Sequence, residues 1–146
     1  MGAEAARDDL ATRRMVAGTF ASIGAVGAWW LHGHSPSTTG WYPPCVFHEL
    51  TGLHCPGCGA TRAAYALLHG NLGEALHQNA LLVIAAPFLA VIIFRVVWLW
   101  VNGLPPVHVD PSRWIARLSL LVAPVVILFG ILRNLPWPPF TCLAPY

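Results

Sequence analysis

Three long apolar segments constrain the fold of this chain more than any other feature of its sequence. They run from Met15 to Leu31, from Ala80 to Val101 and from Trp114 to Leu132. A helix of about 20 mostly apolar residues crosses the roughly 30 Å hydrocarbon core of a bilayer. The second and third segments reach that length, and the first lies near the lower limit. We therefore predict an all-α integral membrane protein with three transmembrane helices.

The number and placement of charged residues argue against several classes of function. Only 10% of the residues are charged, against roughly a quarter in a typical soluble domain. The net charge of +2 is too small and too scattered for nucleic-acid binding, so we expect no nucleic-acid partner. None of the six acidic residues lies within an apolar segment, which argues against a proton-coupled transporter.

The arginines predict the orientation in a cell membrane. Cytoplasmic flanks of spans carry an excess of positive charge, and tryptophans gather at both membrane surfaces. An N-terminus in the cytoplasm and a C-terminus outside place most of the basic residues inside. These are Arg7, Arg13, Arg14, Arg95, Arg113 and Arg117, with Arg62 and Arg133 outside. The tryptophans then form an inner belt (Trp98, Trp100, Trp114) and an outer belt (Trp29, Trp30, Trp41, Trp137). We expect the first segment to stay in place as an anchor, because its acidic leader is unlike a cleaved signal peptide.

These features divide the chain into a single membrane domain with seven parts. The predicted parts are a cytoplasmic tail (1–14), the first span (15–31), an outer segment (32–78), the second span (79–102), an inner loop (103–112), the third span (113–132) and an outer tail (133–146). Small residues at helical spacing in the first span, such as Gly18 and Ser22, favour close contact with another helix or with a second copy. The expected partners are the lipid bilayer and, through this span, a helix or a homo-oligomer.

The outer segment is predicted to be a lid of loops and two short interfacial helices. The run after Gly59 is typical of a helix closed by a glycine, Gly70, at the position that follows the C-cap. Asn71 and Glu74 form a capping pair that begins the second short helix. Asn79 can cap the second span in turn.

All four cysteines fall on the outer side in this topology, and two of them lie in the motif CPGCG. Two thiolates separated by two residues can bind one metal, and the turn between them aims backbone N–H groups at the sulfurs. A glycine after the second cysteine supplies the positive φ that such a turn needs. Together with CVFH upstream, the pattern predicts a zinc or iron site. Its candidate ligands are Cys45, His48, Cys55 and Cys58, with Cys142 as a substitute.

Two other interpretations of the cysteines stay open. Cys55 and Cys58 can form a redox pair, in which the cation of Arg62 would stabilise a thiolate. The following helix is expected to start near Thr61, three residues after Cys58, which weakens its effect on the thiol without abolishing it. Alternatively, four cysteines in an oxidising compartment form two structural disulfides, one tethering Cys142 to Cys45. Sequence spacing alone does not decide between metal, redox and disulfide.

The run from Tyr42 to Leu82, with CPGCGATRA at its centre, resembles a bacterial family of small membrane proteins known as domain of unknown function 2752. The resemblance supports the membrane interpretation and implies no activity. It singles out Cys45, Cys55, Cys58, Thr61, Arg62, Gly70 and Asn79. The chain departs from the family at Ala80, where proline is usual.

We therefore expect a multi-pass membrane protein whose extracytoplasmic cysteine motif is structural, as a disulfide or a metal knuckle. Such a protein would act through partners and not as an enzyme. The alternative is a membrane thiol–disulfide oxidoreductase that uses the pair Cys55 and Cys58.

Overall fold

The computed structural model describes residues 2–38, 42, 44–104 and 111–144, without the side chains of 2–7 and 111–115. This described part contains five α-helices, one 3₁₀ helix and no strand, so the prediction of an all-α chain is confirmed. The elements are α1 (Gly2–Gly33), α2 (Val46–Thr51), α3 (Ala60–Leu68), α4 (Leu72–Val101), α5 (Pro111–Leu132) and the 3₁₀ helix η1 (Phe140–Leu143). The expectations for Trp41 and for the side chains of Arg7, Arg113 and Trp114 lie outside the described residues.

Helix α3 begins and ends as its glycines predict. Gly59 at its N-cap has φ +77°, and Gly70 after its C-cap has φ +71°, both conformations that favour glycine. Gly70 N–H donates to the Leu67 carbonyl at 3.0 Å and Asn71 N–H to the Ala66 carbonyl at 2.9 Å. These two bonds form a Schellman motif, which turns the chain back so that α3 packs on the start of α4.

Helix α4 is two helices joined at Asn79. The backbone of Asn79 is non-helical (φ −161°, ψ 89°), which separates a short helix (72–78) from a long apolar one (80–101). Asn71 Oδ1 accepts the Glu74 N–H at 3.1 Å, and Asn79 Oδ1 accepts the Leu82 N–H at 2.9 Å. Each asparagine therefore caps the helix that follows it, and both predicted caps are confirmed.

Within the described residues, α4 is the helix long and apolar enough to cross a membrane. Its most apolar window has a mean hydropathy of 2.7, and none of that window is buried inside the chain. The part of α5 from Ala116 to Leu132 is apolar but shorter than a span. The structure thus confirms a helix that is able to span a membrane. Of the three predicted spans, it supports the second, which lies in α4.

Large apolar side chains are exposed along three helices. Phe20 of α1 is 71% exposed, Ile93 of α4 is 60% exposed and Leu120 of α5 is 74% exposed. An apolar surface of this extent is unfavourable in water. The buried side chains, by contrast, lie around α3, the start of α4 and the end of α5. Polar side chains and cysteines meet in this region.

The start of α1 packs against the far end of α4. Arg13 pairs with Asp9 at 2.8 Å and donates to the Trp100 carbonyl at 3.3 Å, near the C-terminus of α4. A Cβ added to Gly103 would lie 2.9 Å from a methyl of Leu10. Residues 2–14, predicted as a tail, are therefore helical and continuous with the first apolar segment.

We predict that Asn79→Ala destabilises the protein more than Asn71→Ala does. Asn79 is buried and, besides its cap, donates to the Pro56 carbonyl at 2.9 Å and the Cys58 carbonyl at 3.2 Å. Its loss removes a cap and two buried hydrogen bonds to carbonyls that keep Arg133 as a donor, a cost of about 2 to 4 kcal/mol. Asn71→Ala removes an exposed cap alone, at about 1 kcal/mol. Thermal unfolding of the two variants in detergent measures the difference, and equal losses would contradict the structural role of the loop contacts.

Candidate metal centre

Three of the four cysteines meet between α2 and α3. Cys45 Sγ lies 3.5 Å from Cys55 Sγ, and Cys58 Sγ lies 3.2 Å from Cys55 Sγ. All three sulfurs lie within 4.8 Å of one another, and we call them the thiol cluster. A disulfide joins its sulfurs at about 2.05 Å, so these separations are contacts between free thiols.

Backbone N–H groups point at the sulfurs, as the motif predicts. Cys55 N–H donates to Cys58 Sγ at 3.2 Å within a turn closed by the bond from Cys58 N–H to the Cys55 carbonyl at 3.0 Å. Cys45 immediately precedes α2, and the His48 N–H at the start of that helix lowers the pKa of the Cys45 thiol. Burial raises the pKa of the Cys58 thiol to about 12. The buried thiol therefore keeps its proton at neutral pH unless a cation replaces it.

The turn that carries Cys55 and Cys58 is held by an arginine from the end of α5. Arg133 Nη1 donates to the Cys55 carbonyl at 3.0 Å and to the Pro56 carbonyl at 3.3 Å. Arg133 Nη2 donates to the Cys58 carbonyl at 3.1 Å and to the Gln78 carbonyl at 3.5 Å. One guanidinium thus joins the cysteine turn to α4 and α5.

Two further contacts fix the same turn. The Asn134 amide bonds to both backbone groups of His54, accepting its N–H and donating to its carbonyl, each at 2.8 Å. Pro56 packs on Gly130 of α5 so closely that a Cβ added there would lie 3.0 Å from Pro56 Cγ. A larger side chain at Gly130 would push the turn away from the helix.

Arg133 is a buried cation whose described hydrogen-bond partners are all carbonyl oxygens. It is 1% exposed, and its Nε has no hydrogen-bond partner. The ion pair between Arg13 and Asp9 does not involve Arg133. Burial lowers the pKa of Arg133, and the sulfurs of Cys58 and Cys55 act in the opposite direction. Deprotonation of the Cys58 or Cys55 thiol would therefore supply a negative charge that favours the Arg133 cation.

A cavity of about 770 Å³ opens beside the thiol cluster. Cys45 and Cys58 line it, together with His48, His54 and the first turn of α3. The His48 and His54 rings stack at 4.4 Å, and burial is the main cause that lowers the pKa of His54. Two of the three cysteines of the thiol cluster thus lie at the wall of a space large enough for a small molecule.

The structure places the other predicted residues around this centre in different roles. Thr61 and Arg62 line the cavity, whereas Gly70 and Asn79 shape the helices beside it. His48 Nδ1 lies 3.2 Å from the Leu53 carbonyl, and the group of close ligand atoms does not include His48. Cys142 is exposed on η1, also outside that group. A role of His48 or Cys142 as the fourth ligand stays a prediction.

Sequence reasoning missed the two residues that hold the turn from α5. From the sequence, Arg133 and Asn134 belong only to the predicted outer tail, and Arg62 is the charge expected near the thiols. The available signal was the position of an arginine–asparagine pair directly after the third apolar segment, on the predicted side of the cysteines. Arginines at such a boundary are usually surface charges, so the signal is weak.

Residues 45–93 match the model of a protein family described as "Protein of unknown function (DUF2752)". The chain resembles this family. The match covers about a third of the chain and includes the thiol cluster, α3 and most of α4, but not Arg133 and Asn134. It confirms the resemblance drawn from CPGCGATRA. Searches of curated proteins and of solved structures each gave no match.

We predict that Arg133→Lys destabilises the protein strongly, whereas Arg13→Lys does not. A lysine ammonium lacks the forked donors that reach four carbonyls, and losing several of these hydrogen bonds from a charged group costs about 2 to 5 kcal/mol in total. Arg13 is a partly exposed cation whose pair with Asp9 contributes at most about 1 kcal/mol. Unfolding of both variants in detergent provides the comparison. A stable Arg133→Lys protein would show that the guanidinium does not hold the turn.

Proposed function

We propose that this chain is a membrane protein that binds one divalent metal ion, zinc, through Cys45, Cys55 and Cys58. The observation that carries the proposal is the approach of three sulfurs to within 4.8 Å of one another. Ligands at tetrahedral angles, each about 2.3 Å from a zinc ion, stand about 3.8 Å apart. The separations of 3.2 and 3.5 Å are close to that spacing, so small movements would complete the coordination.

The donor type favours zinc. Three thiolates form a soft ligand set, which suits zinc and iron and disfavours calcium and magnesium. Zinc accepts a tetrahedral site of cysteines with a fourth ligand of another type, and it has no redox chemistry of its own. A structural zinc is therefore the simplest occupant, with iron as the alternative that elemental analysis separates from it.

Charge also favours a metal over a disulfide. Three thiolates around a divalent cation carry a net charge of about −1, which balances the buried guanidinium of Arg133. A disulfide between Cys55 and Cys58 is neutral and would leave that guanidinium without an anion. The 1% exposure of Arg133 makes this difference costly.

The proposed metal has a structural role. It would join Cys45, at the start of α2, to the turn that begins α3, and so hold residues 44–78 of the lid in one arrangement. Such a lid can act as a docking platform, so we propose that the protein works through partners rather than as an enzyme. The lipid bilayer is the first proposed partner, and a second helix or copy against α1 is another.

We also propose that α1, α4 and α5 all cross the membrane, with the N-terminus in the cytoplasm and the thiol cluster outside. The support is the span-length apolar part of α4, the exposed apolar side chains of all three helices and the excess of arginine on one side. The ends of α4 then lie on opposite sides of the bilayer, with Asn79 outside and Asn102 inside.

Reporter fusions test this topology. A reporter fused after Gln78 should be active only in the extracytoplasmic space, and one fused after Asn102 only in the cytoplasm. A matched pair of reporters, one active on each side, serves as the control at every position. The opposite pattern at both positions would overturn the orientation.

One contact favours a second candidate function, thiol–disulfide exchange. Cys45 Sγ lies 3.5 Å from Cys55 Sγ, near enough to attack a disulfide between Cys55 and Cys58. In that step a bond forms between the sulfurs of Cys45 and Cys55, the bond between Cys55 and Cys58 breaks, and Cys58 leaves as a thiolate. An external thiol–disulfide partner would supply the initial disulfide by the same exchange.

Metal analysis of single cysteine variants separates the two functions. We predict about one zinc per detergent-purified chain, and a loss of at least about tenfold in zinc affinity for Cys45→Ser, Cys55→Ser or Cys58→Ser, because each removes a thiolate ligand. Cys142→Ser is the matched control and should keep its zinc. A metal-free protein with a disulfide between Cys55 and Cys58, shown by thiol alkylation before and after reduction, would contradict the metal proposal and favour exchange.

A further inference from the structure

We infer that one face of helix α2 lies in the outer surface of the lipid bilayer and anchors the cysteine-containing lid there. This face consists of the apolar side chains of Val46, Phe47, Leu50 and Leu53, and we call it the α2 apolar face. The inference rests on the proposed membrane topology of α4 and α5 and is independent of the metal. It adds to the lid an interaction surface whose partner is the interfacial layer of the lipids.

Helix α2 is exposed along its whole length. None of its six residues is buried, and Leu50 at its centre is 80% exposed. Val46, Phe47 and, just after the helix, Leu53 are exposed as well. Large apolar side chains that lie together on a surface are unfavourable in water and mark contact with a membrane or with a partner.

The apolar side chains of α2 share one side of the helix. With 3.6 residues per turn, Val46, Phe47 and Leu50 fall within an arc of about 100°. His48 falls on the opposite side, where it lines the cavity beside the thiol cluster and stacks on His54 at 4.4 Å. Helix α2 therefore turns its polar side toward the cysteine site and its apolar side away from it, as a helix lying on a membrane surface does.

The cysteine turn fixes the level at which α2 lies. Asn79, at the start of the apolar part of α4, donates to the carbonyls of Pro56 and Cys58 in this turn. Near the end of α5, Gly130 packs against Pro56 of the same turn. The turn thus lies where both apolar helices reach their outer ends, which is the surface of the bilayer in the proposed topology.

Both ends of α2 are held close to that turn. Cys45, directly before α2, places its Sγ 3.5 Å from Cys55 Sγ. Residues 52–54 connect the other end of α2 to Cys55, and an extended chain spans at most about 3.5 Å per residue. The Asn134 side chain fixes both backbone groups of His54 at 2.8 Å. Helix α2 is therefore kept within reach of the membrane surface.

The exposed apolar surface of α5 adjoins α2 at this level. Leu128 and Ile131 in the last turns of α5 are exposed, and so is Trp137 just beyond them. A tryptophan at this position is typical of the boundary between lipid and water. Leu53 immediately precedes His54, which Asn134 holds beside the end of α5. The α2 apolar face is thus continuous with the surface that α5 presents to lipid.

A protein partner is the competing occupant of this face. A stable protein interface takes about 800 Å² and roughly 20 to 30 residues from each partner. The four side chains of the α2 apolar face are far fewer than that number. A lipid surface needs no shape complementarity, because an interfacial helix binds through its buried apolar area. The size of the face therefore favours lipid.

Photocrosslinking in lipid vesicles tests the inference. The full-length protein carries a photoreactive diazirine amino acid at one position and is reconstituted into phosphatidylcholine vesicles. After irradiation, mass spectrometry identifies covalent adducts of the protein with lipid. The labelled positions are Val46 and Leu50 on the face, Glu49 outside the apolar arc as the matched control on the same helix, and Ile93 of α4 as the reference for a span.

We expect lipid adducts at positions 46 and 50, with a yield about fivefold higher than at position 49, because only the apolar side chains enter the lipid. Position 93 should give the adduct as well, since Ile93 is exposed on the helix that is long and apolar enough to span a membrane.

The outcomes separate this inference from the proposed topology. A protein without an adduct at position 93 would overturn the membrane placement of α4, and the inference with it. Adducts at position 93 but none at positions 46 and 50 would leave the spans intact and overturn the inference. Crosslinks from positions 46 and 50 to a second copy of the chain would overturn it in favour of a protein partner. Equal lipid yields at positions 46, 49 and 50 would show that no oriented face enters the lipid, and would also overturn it.

Discussion

One buried guanidinium determines how the cysteine turn sits on the rest of this protein. Arg133, at the end of α5, is 1% exposed and donates to the carbonyls of Cys55, Pro56, Cys58 and Gln78. Without it, four carbonyls from the turn and from α4 would lose their common donor. The turn that carries Cys55 and Cys58 determines where α3 begins. The Schellman motif after α3 then determines where α4 begins. The site therefore depends on an interaction between distant parts of the chain.

The features of this structure that could be predicted from the sequence are those that residues close in the sequence determine. Gly59 and Gly70 adopt positive φ because the chain must turn there, and Asn79 caps the apolar part of α4 because its side chain reaches the Leu82 N–H. The grouping of Cys45 with Cys55 and Cys58 was predictable from two-residue spacings. The all-helical class followed from three long apolar segments.

The parts that could not be predicted depend on distant contacts. No spacing rule relates Arg133 to carbonyls 75 or more positions earlier. The contacts of the His48 ring with the Leu53 carbonyl and with His54 also could not be predicted, because tertiary packing determines them and the C-x2-H pattern does not. The same holds for the cavity, whose walls come from α2, α3, the start of α4 and the loops on either side of α2.

The central claim is that three cysteine thiolates share one metal ion. X-ray absorption at the zinc edge, on the full-length protein purified in detergent, measures the number and type of atoms bound to the metal. The account predicts three sulfurs at about 2.3 Å and one lighter oxygen or nitrogen ligand. Four sulfurs would bring Cys142 into the site, and two or fewer would mean that the thiol cluster does not hold the metal as a unit; either result would contradict the account.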